Sequence, residues 1–250
     1  MTHHYLEFSP PVIARRGATR RAPENTLESF KAARDGGVRW IGTNVKLTSD
    51  GIPVVIYDES LDRTTNGHGA VSEMAWPEMR ALDAGSWFGS EFNAAHIPTL
   101  AQALDFAVKN DIRLELELRP GPGRTLATTM IALIEVVKAR HDPQAPPLIS
   151  SFDVETLKVA YHMHPDLPRA LFLDEWREDW RELATVTQAS AIGVNEKLLT
   201  PERLRVIRAT SVTLLAYTVN DAERARDLLA TGVSAVFTDY PREIIEKAHL

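Results

Sequence analysis

The sequence contains no cysteine, so disulfide bonds, thiolate metal sites and cysteine nucleophiles are all excluded. Its first residues, MTHHYLEFSPP, lack the basic and apolar regions of a secretory signal peptide. No apolar run approaches the roughly 20 residues that a membrane span needs. His3 and His4 are adjacent, but a terminal pair of this kind is more typical of a disordered tail than of a metal site. These absences predict a cytoplasmic protein with no membrane span.

An excess of positive charge is also missing. The chain has 28 Lys and Arg against 34 Asp and Glu, a net charge of −6. Broad nucleic-acid binding usually needs a basic face, so we expect no nucleic-acid partner. The 250 residues are enough for one large domain, and α/β barrels often have this length as a single domain. We therefore expect one domain over residues 1–250.

Short β-rich runs alternate with helical patterns along the chain. Eight runs have the character of strands: 12–15, 39–45, 112–118, 147–152, 169–173, 191–195, 213–219 and 235–239. Helix start signals lie between them, such as Asn25 or Thr26 before the first helix and Asn220 before a late one. Eight strands in strict β-α alternation predict an α/β fold, a (β/α)8 TIM barrel. An open doubly wound sheet is the alternative, but no G-x-G-x-x-G follows any strand.

One segment interrupts this alternation. Residues of about 46–96 contain no helix of ordinary length, and KLTSDGIPVVIYD is typical of a hairpin that turns at Asp50-Gly51. We expect this insertion after the second strand to lie over the carboxyl-terminal mouth of the barrel, where barrel active sites are found. The second barrel helix should follow at about 99–110.

The carboxyl ends of the predicted strands carry mostly cations, hydroxyls and amides. Arginine forks match phosphate oxygens, so these positions favour a small phosphate-bearing ligand. Within LELEL, Glu115 and Glu117 share one face of the strand because side chains alternate. Glu117 is then either a metal ligand or base, or a structural partner of a nearby arginine. The mouth positions are Arg15, Arg16, Asn44, Glu117, Arg119, Ser150, Ser151, Asp174, Asn195, Asn220 and Asp239, with Tyr57 and Asp58 from the insertion.

Several ordered motifs carry a family resemblance. They are RRGATRRAPENTLESF, GTNVKLTSDGIPVVIYDESLDRTTNG, LELELRP, ISSFD, AYTVND and VFTDYP. With them the chain resembles the glycerophosphodiester phosphodiesterase family, and most of all its short cytoplasmic bacterial members, over nearly its whole length. The resemblance implies the same barrel with the same insertion. It also implies Mg²⁺- or Ca²⁺-dependent hydrolysis of glycerophosphodiesters to sn-glycerol 3-phosphate and an alcohol.

The positions that carry the family's chemistry are largely substituted. The two histidines taken as general acid and base, in H-R-G and H-D, correspond to Arg15 and Tyr57. The two metal-binding carboxylates of E-x-D correspond to Gly42 and Asn44. The glutamate of E-x-K remains as Glu117. The lysine of the same motif is replaced by arginine, at position 119.

These substitutions predict a loss of activity. Arginine stays protonated at ordinary pH, and tyrosine titrates near pKa 10, so Arg15 and Tyr57 are poor bases. Gly42 offers no ligand atom and Asn44 a neutral oxygen, whereas hard cations prefer several anionic oxygens. We therefore expect no tightly bound metal. General acid–base catalysis contributes roughly 10²- to 10⁴-fold per group, so the chain should be inactive or severely impaired, as a natural pseudoenzyme or an altered variant.

The remaining cations still predict ligand binding. From the resemblance, Arg16, Arg119 and Tyr217 are the expected phosphate- and substrate-binding residues. Arg15 brings a positive charge close to where a divalent cation would sit. It either binds phosphate together with the other arginines or pairs with Glu117 and closes the site.

Two alternatives stay open. The chain is a working hydrolase with a rearranged site if His68, His96, Glu115 or Asp58 has been recruited. It is an interaction module if Trp176 and Trp180, four residues apart and so on one face of a predicted helix, contact a partner rather than the barrel.

Overall fold

The computed structural model describes residues 6–139 and 146–250. The His3–His4 pair and most of the connection at 141–147 lie outside the described residues. The strands are β1 (Val12–Arg15), β2 (Trp40–Leu47), β3 (Pro53–Val55), β4 (Arg113–Leu118), β5 (Leu148–Ser151), β6 (Arg169–Leu173), β7 (Ala191–Asn195), β8 (Thr213–Tyr217) and β9 (Ala235–Thr238). The α-helices are α1 (Leu27–Asp35), α2 (Trp76–Met79), α3 (Leu100–Lys109), α4 (Thr125–Lys138), α5 (Val154–Met163), α6 (Trp180–Val186), α7 (Pro201–Arg208), α8 (Ala222–Ala230) and α9 (Pro241–Ala248).

Eight of the described strands are parallel and close into a barrel. Strand β1 pairs in parallel with both β2 and β9, which joins the two ends of the sheet. Strand β3 pairs with β2 in the antiparallel sense, as the hairpin signal at Asp50-Gly51 predicts. The predicted (β/α)8 TIM barrel is therefore confirmed.

The strands bury both faces, as parallel strands under helices do. Alternate side chains point inward and form an inner core that includes Ile13, Trp40 and Phe237. Phe8 packs against this core, with its ring centroid 4.8 Å from that of Trp40. The other face of each strand packs against the helices in two larger apolar clusters.

The helix starts follow the capping signals with one correction. Thr26 caps α1, since its side chain accepts a hydrogen bond from the backbone N–H of Ser29. The expectation that Asn220 caps α8 is wrong, because Asp221 caps it. The Asn220 side-chain oxygen instead accepts hydrogen bonds from the Thr238 hydroxyl and the Asp239 backbone N–H. Asn220 thus ties the end of β8 to the end of β9.

The two tryptophans near α6 do not share a helix face. Helix α6 begins at Trp180, so Trp176 lies in the irregular segment before it. Trp180 is only 2% exposed, and both tryptophans pack in one of the two apolar clusters between the strands and the helices. The Arg203 guanidinium lies over the Trp176 ring at 4.6 Å. Both rings therefore contact the barrel, and the helical spacing was misleading because the helix starts late.

The segment between β3 and α3 contributes Tyr57 to the cavity at the carboxyl ends of the strands. Among the residues that the structure describes there, the longest helix is α2, of four residues. Apolar side chains of this segment pack with those of β3 in a separate cluster, which includes Val54, Ile56 and Met79. The backbone N–H of Ile56 donates to the carbonyl of Asn44 at 3.0 Å, which holds the next residue, Tyr57, beside β2. In the same two described ranges, no helix combines the length and apolar character that crossing a membrane requires.

Candidate ligand-binding site

A cavity of about 300 Å³ opens at the carboxyl ends of the strands. Its lining contains cations, carboxylates and aromatic rings. The cations are Arg15, Arg16, Arg119 and Lys197, and the carboxylates are Glu115, Glu117 and Glu196. Phe152, Phe172, Tyr217 and Phe237 form a group of rings that we call the aromatic side. All eight sequence-predicted site residues line this cavity: Arg15, Arg16, Gly42, Asn44, Tyr57, Glu117, Arg119 and Tyr217. Their roles stay predictions.

Strand register explains how residues distant in sequence become neighbours. Gly42 pairs with Arg15 of β1 on one side and with Glu115 of β4 on the other. One pleat higher, Asn44 pairs with Glu117. Because side chains alternate along a strand, residues two apart on β2 and β4 face the same interior space.

The turn after β1 fixes the second arginine. Arg16 has φ 60°, in the left-handed region that is uncommon for residues other than glycine. Gly17 follows with φ 89°, and a Cβ there would lie 2.3 Å from the Ser29 hydroxyl oxygen. The Arg16 carbonyl accepts hydrogen bonds from the backbone N–H of Asn25 at 2.9 Å and from the Ser29 hydroxyl at 3.0 Å. Helix α1 thus holds the turn that places Arg16 in the cavity.

Three guanidinium groups surround the Tyr57 ring. The Cζ atoms lie 3.2 Å from the ring centroid for Arg16, 4.6 Å for Arg119 and 5.6 Å for Arg15. The face of an aromatic ring attracts cations, so Tyr57 offsets part of the repulsion among the arginines. Tyr57, which the resemblance aligns with the second family histidine, therefore lies among three positive charges.

Each arginine also has a carboxylate partner. Arg15 pairs with Asp239 at 3.2 Å, and Arg16 pairs with Glu24 at 2.9 Å. The ion pair of Arg15 is thus with Asp239, at the end of β9, while Glu117 pairs with Arg119; the Arg15 charge still acts on Glu117, whose pKa it lowers. Asp239 was recognised as a strand-end residue, but its partner depends on strand order, which no local motif shows.

Glu117 lies at the centre of a hydrogen-bond network. Arg119 Nη1 donates to Glu117 Oε1 at 2.9 Å, and Asn44 Nδ2 donates to Oε2 at 2.8 Å. Asn25 Nδ2 in turn donates to Asn44 Oδ1 at 3.2 Å. Burial raises the pKa of Glu117 above its usual value, and the Arg119 charge offsets only part of this rise. N–H donors thus engage both carboxylate oxygens.

Glu115 occupies the space beside Gly42. A Cβ on Gly42 would lie 2.8 Å from Glu115 Oε2 and 2.9 Å from the Phe237 ring. Glu115 is 2% exposed, and the Ser150 hydroxyl donates a hydrogen bond to it. Burial, with the charge of Glu117 as a second cause, holds the pKa of Glu115 well above its usual range. The glycine therefore accommodates a buried carboxyl group whose pKa is raised.

The titration of Glu115 should appear in the stability of the fold. A carboxyl whose pKa is raised on folding stabilises the folded state below its unfolded pKa, and this contribution is lost as pH rises toward the folded value. We expect the urea midpoint of the wild-type chain to fall as the pH rises above the ordinary pKa of a glutamate. In Glu115→Gln, which keeps the shape of the protonated acid, this fall should be smaller.

Glu223→Gln, at an exposed position, serves as the control. Its urea midpoint should fall with pH as steeply as that of the wild-type chain. The same pH dependence in Glu115→Gln as in the wild type would contradict the assignment of Glu115 as a buried acid.

The family's metal-ligand positions do not fit a tightly held divalent cation here. Gly42 has no ligand atom, and the space beside it is filled by Glu115. Asn44 presents an N–H donor to Glu117, and Arg119 takes the other oxygen of that carboxylate. Hard cations prefer carboxylate oxygens that are free to coordinate them. Across 6–139 and 146–250, no group of three or more His, Cys, Asp or Glu side chains is placed to hold a metal ion.

Of the four residues considered for recruitment, Glu115 lines the cavity. His68 is exposed and faces Asp62 at 3.0 Å, while a ring nitrogen of His96 lies 2.8 Å from the Leu82 carbonyl oxygen. Asp58 pairs with Arg63 at 2.5 Å. The structure does not bring these three residues into the group that lines the cavity.

The aromatic side was not predicted from the sequence, except for Tyr217. The Tyr217 ring stacks on Phe172 with centroids 5.4 Å apart, and Phe152 meets Phe172 edge-on. The Tyr217 hydroxyl donates to the Leu173 carbonyl at 2.6 Å, so the ring rather than the hydroxyl faces a ligand. Burial raises the pKa of this phenol. The inward positions of β6 and β9, read by strand alternation, could have identified Phe172 and Phe237.

The relatives found by comparison with known proteins agree with one another in family. The model of the "Glycerophosphoryl diester phosphodiesterase family" matches residues 16–243. A glycerophosphodiester phosphodiesterase of Bacillus subtilis (strain 168) is 31% identical over 249 residues, covering 92% of this chain and 83% of that protein. One from Caldanaerobacter subterraneus subsp. tengcongensis is 32% identical over 238 residues, covering 94% of this chain and 96% of that protein.

A solved structure is also similar. It is a phosphodiesterase from Oleispira antarctica in complex with the product sn-glycerol-3-phosphate, 34% identical to this chain with a TM-score of 0.92. The superposition covers 96% of this chain and 97% of that one. With the fold, the ordered motifs and the family match in agreement, this chain belongs to the glycerophosphoryl diester phosphodiesterase family.

Proposed function

We propose that this chain binds glycerophosphodiesters or related small phosphate-bearing molecules at the barrel mouth, without a divalent cation and without hydrolysing them at a rate comparable to active relatives. The observation that carries the proposal is the group of three guanidiniums around Tyr57. Guanidinium forks match the geometry of phosphate oxygens. The bound product sn-glycerol-3-phosphate in the similar Oleispira antarctica structure supports this ligand class.

Arg16 supports the proposal most directly. It is 6% exposed, and its buried Nε has no hydrogen-bond partner among the described residues. Burial and the neighbouring Arg15 charge lower the pKa of Arg16, and Glu24 does not fully offset them. The group is thus short of negative charge, and a bound phosphate would supply both an acceptor and a counter-charge.

The same residues argue against hydrolysis. Neither Arg15 nor Tyr57 is a good proton acceptor at neutral pH, and N–H donors already hold the Glu117 carboxylate. Positive charge fixed on arginines can bind a phosphate, but it cannot activate a water molecule for attack on the phosphorus.

The test compares binding and turnover in one preparation. We expect glycerophosphocholine to bind equally well in EDTA and in Mg²⁺ or Ca²⁺, as measured by isothermal titration calorimetry. An enzyme-coupled assay for sn-glycerol 3-phosphate should detect no metal-dependent product release. Absence of binding in every condition would refute the proposed ligand class.

A second candidate function is hydrolysis by a rearranged site. It is favoured by one observation, that the buried carboxyl of Glu115 lines the cavity. Metal-dependent turnover that disappears in Glu115→Gln would establish this second function and refute the first.

A further inference from the structure

Lys197 is the fourth cation in the lining of the cavity at the barrel mouth. The three arginines of the lining each pair with a carboxylate: Arg15 with Asp239, Arg16 with Glu24 and Arg119 with Glu117. Lys197 is exposed, and within residues 6–139 and 146–250 its side chain has no ion pair or hydrogen bond. It therefore brings to the cavity a positive charge that no described carboxylate balances.

The turn that carries Lys197 is fixed by two other side chains. It is a single turn of 3-10 helix, Glu196–Leu198, directly after β7. The Asn195 side-chain oxygen accepts a hydrogen bond from the Lys197 backbone N–H at 3.1 Å. Arg224 donates from Nε to the Glu196 carboxylate at 2.9 Å and from Nη2 to the Glu196 carbonyl at 3.0 Å. These bonds hold the backbone of the turn beside the cavity and leave the lysine side chain free for a ligand.

The carboxylates of the lining do not cancel the charge of Lys197. Glu196 is paired with Arg224 at 2.9 Å. Both oxygens of Glu117 accept N–H donors, from Arg119 and from Asn44. Burial holds the pKa of Glu115 well above its usual range, so its negative charge appears only at higher pH than that of an ordinary glutamate. The lining thus keeps an excess of positive charge at Lys197.

Arg16 is a second cation of the same cavity that lacks a full set of partners. It is 6% exposed, and its buried Nε has no acceptor among the described residues. One buried and one exposed cationic group are therefore open to the same ligand. A phosphodiester carries one negative charge, whereas a phosphomonoester carries nearly two above its second pKa of about 6. Charge complementarity favours the monoester.

We propose that Lys197 makes this cavity selective for the dianions of small phosphomonoesters over phosphodiesters of similar size. The inference rests on the proposed function, since the arginines must first bind a phosphate group. Arg16 and Arg119 hold the phosphate by their N–H donors, and Lys197 supplies the charge that distinguishes a dianion from a monoanion. Lys197 is then a specificity-determining residue of the site.

The test measures binding of three ligands by isothermal titration calorimetry in EDTA at about pH 8, above the second pKa of a phosphomonoester, about 6. They are sn-glycerol 3-phosphate, glycerol 3-sulfate, which has the same shape and a single charge, and the singly charged diester glycerophosphoglycerol. We expect the phosphomonoester to bind about three- to tenfold more tightly than the other two. This is the range of one exposed charge pair with a contribution from the buried Arg16.

Variants of Lys197 assign the preference to this residue. Lys197→Gln should weaken sn-glycerol 3-phosphate several-fold more than the two singly charged ligands, and Lys197→Arg, which keeps the charge, should retain the preference. Lys247→Gln is the matched control, since it removes the same charge from an exposed position that is absent from the cavity lining. Thermal denaturation of each variant checks its folding.

The outcomes separate the two proposals. If none of the three ligands binds, the proposed function fails and the selectivity fails with it. If all three bind with equal affinity, phosphate binding stands and the selectivity alone is refuted. A preference for the monoester that survives in Lys197→Gln, or that falls equally in Lys247→Gln, would refute the role of Lys197.

Discussion

Restoring the four substituted family residues should leave the chain nearly inactive unless Glu115 is changed as well. The fourfold variant carries Arg15→His, Gly42→Glu, Asn44→Asp and Tyr57→His. Its new Glu side chain at position 42 would meet Glu115 Oε2 at 2.8 Å from the Cβ alone, and the Phe237 ring at 2.9 Å. It would also add carboxylates beside a Glu115 whose pKa is already raised by burial and by Glu117. Steric contact and like charge therefore both displace the new metal ligands.

Adding Glu115→Ala should give a fivefold variant that hydrolyses glycerophosphocholine in Mg²⁺ or Ca²⁺. We expect it to exceed the fourfold variant by about 100-fold, since a displacement of about 1 Å in a reacting group costs roughly that factor. The measurement is metal-dependent release of sn-glycerol 3-phosphate. Glu115→Ala alone is the control and should show no activity, because the acid, base and metal ligands are still absent.

Two results would contradict this expectation. Equal activity of the fourfold and fivefold variants would show that Glu115 moves aside without cost. Activity of the unaltered chain near that of the fivefold variant would show that other residues supply the chemistry.

Replacing Arg16 should have the largest effect on ligand binding. In Arg16→Met the chain loses the buried guanidinium and keeps an apolar side chain of similar length. A hydrogen bond to a charged group contributes about 1.5–3 kcal/mol, so binding of a glycerophosphodiester should weaken roughly 10- to 150-fold. The fold should tolerate the change, because Glu24 keeps both hydrogen bonds from Arg63, at 2.9 Å and 2.8 Å.

Arg20→Met is the matched control, since it removes the same charge four residues further along the chain. Arg20 lies over the Tyr240 ring at 5.1 Å and is absent from the cavity lining. Calorimetric titration in EDTA, with thermal denaturation to check folding, distinguishes the variants. Equal losses in both variants would indicate a general electrostatic effect, and unchanged binding in Arg16→Met would exclude Arg16 from the site.

The strands were predictable because their signals are local. The predicted runs at 12–15, 169–173 and 191–195 match β1, β6 and β7 at both ends. Errors occurred where neighbouring residues compete for one role. Asp221 rather than Asn220 caps α8, because Asn220 is held by Thr238 and Asp239 at the end of another strand.

The sequence by itself determined the barrel and the family, and it predicted the positions at which the family's catalytic and metal-binding residues are replaced. Each of these depends on short motifs and on their order along the chain. They can therefore be predicted without knowing which distant residues are in contact. It also indicated that cations collect at the strand ends, because strand alternation and parallel order bring those ends together.

Only the tertiary structure decided which charged groups meet. Arg15 pairs with Asp239, 224 residues away, and Glu115 fills the space that Gly42 leaves on the neighbouring strand. Such partners follow from barrel closure, strand register and side-chain direction, which act between segments far apart in sequence.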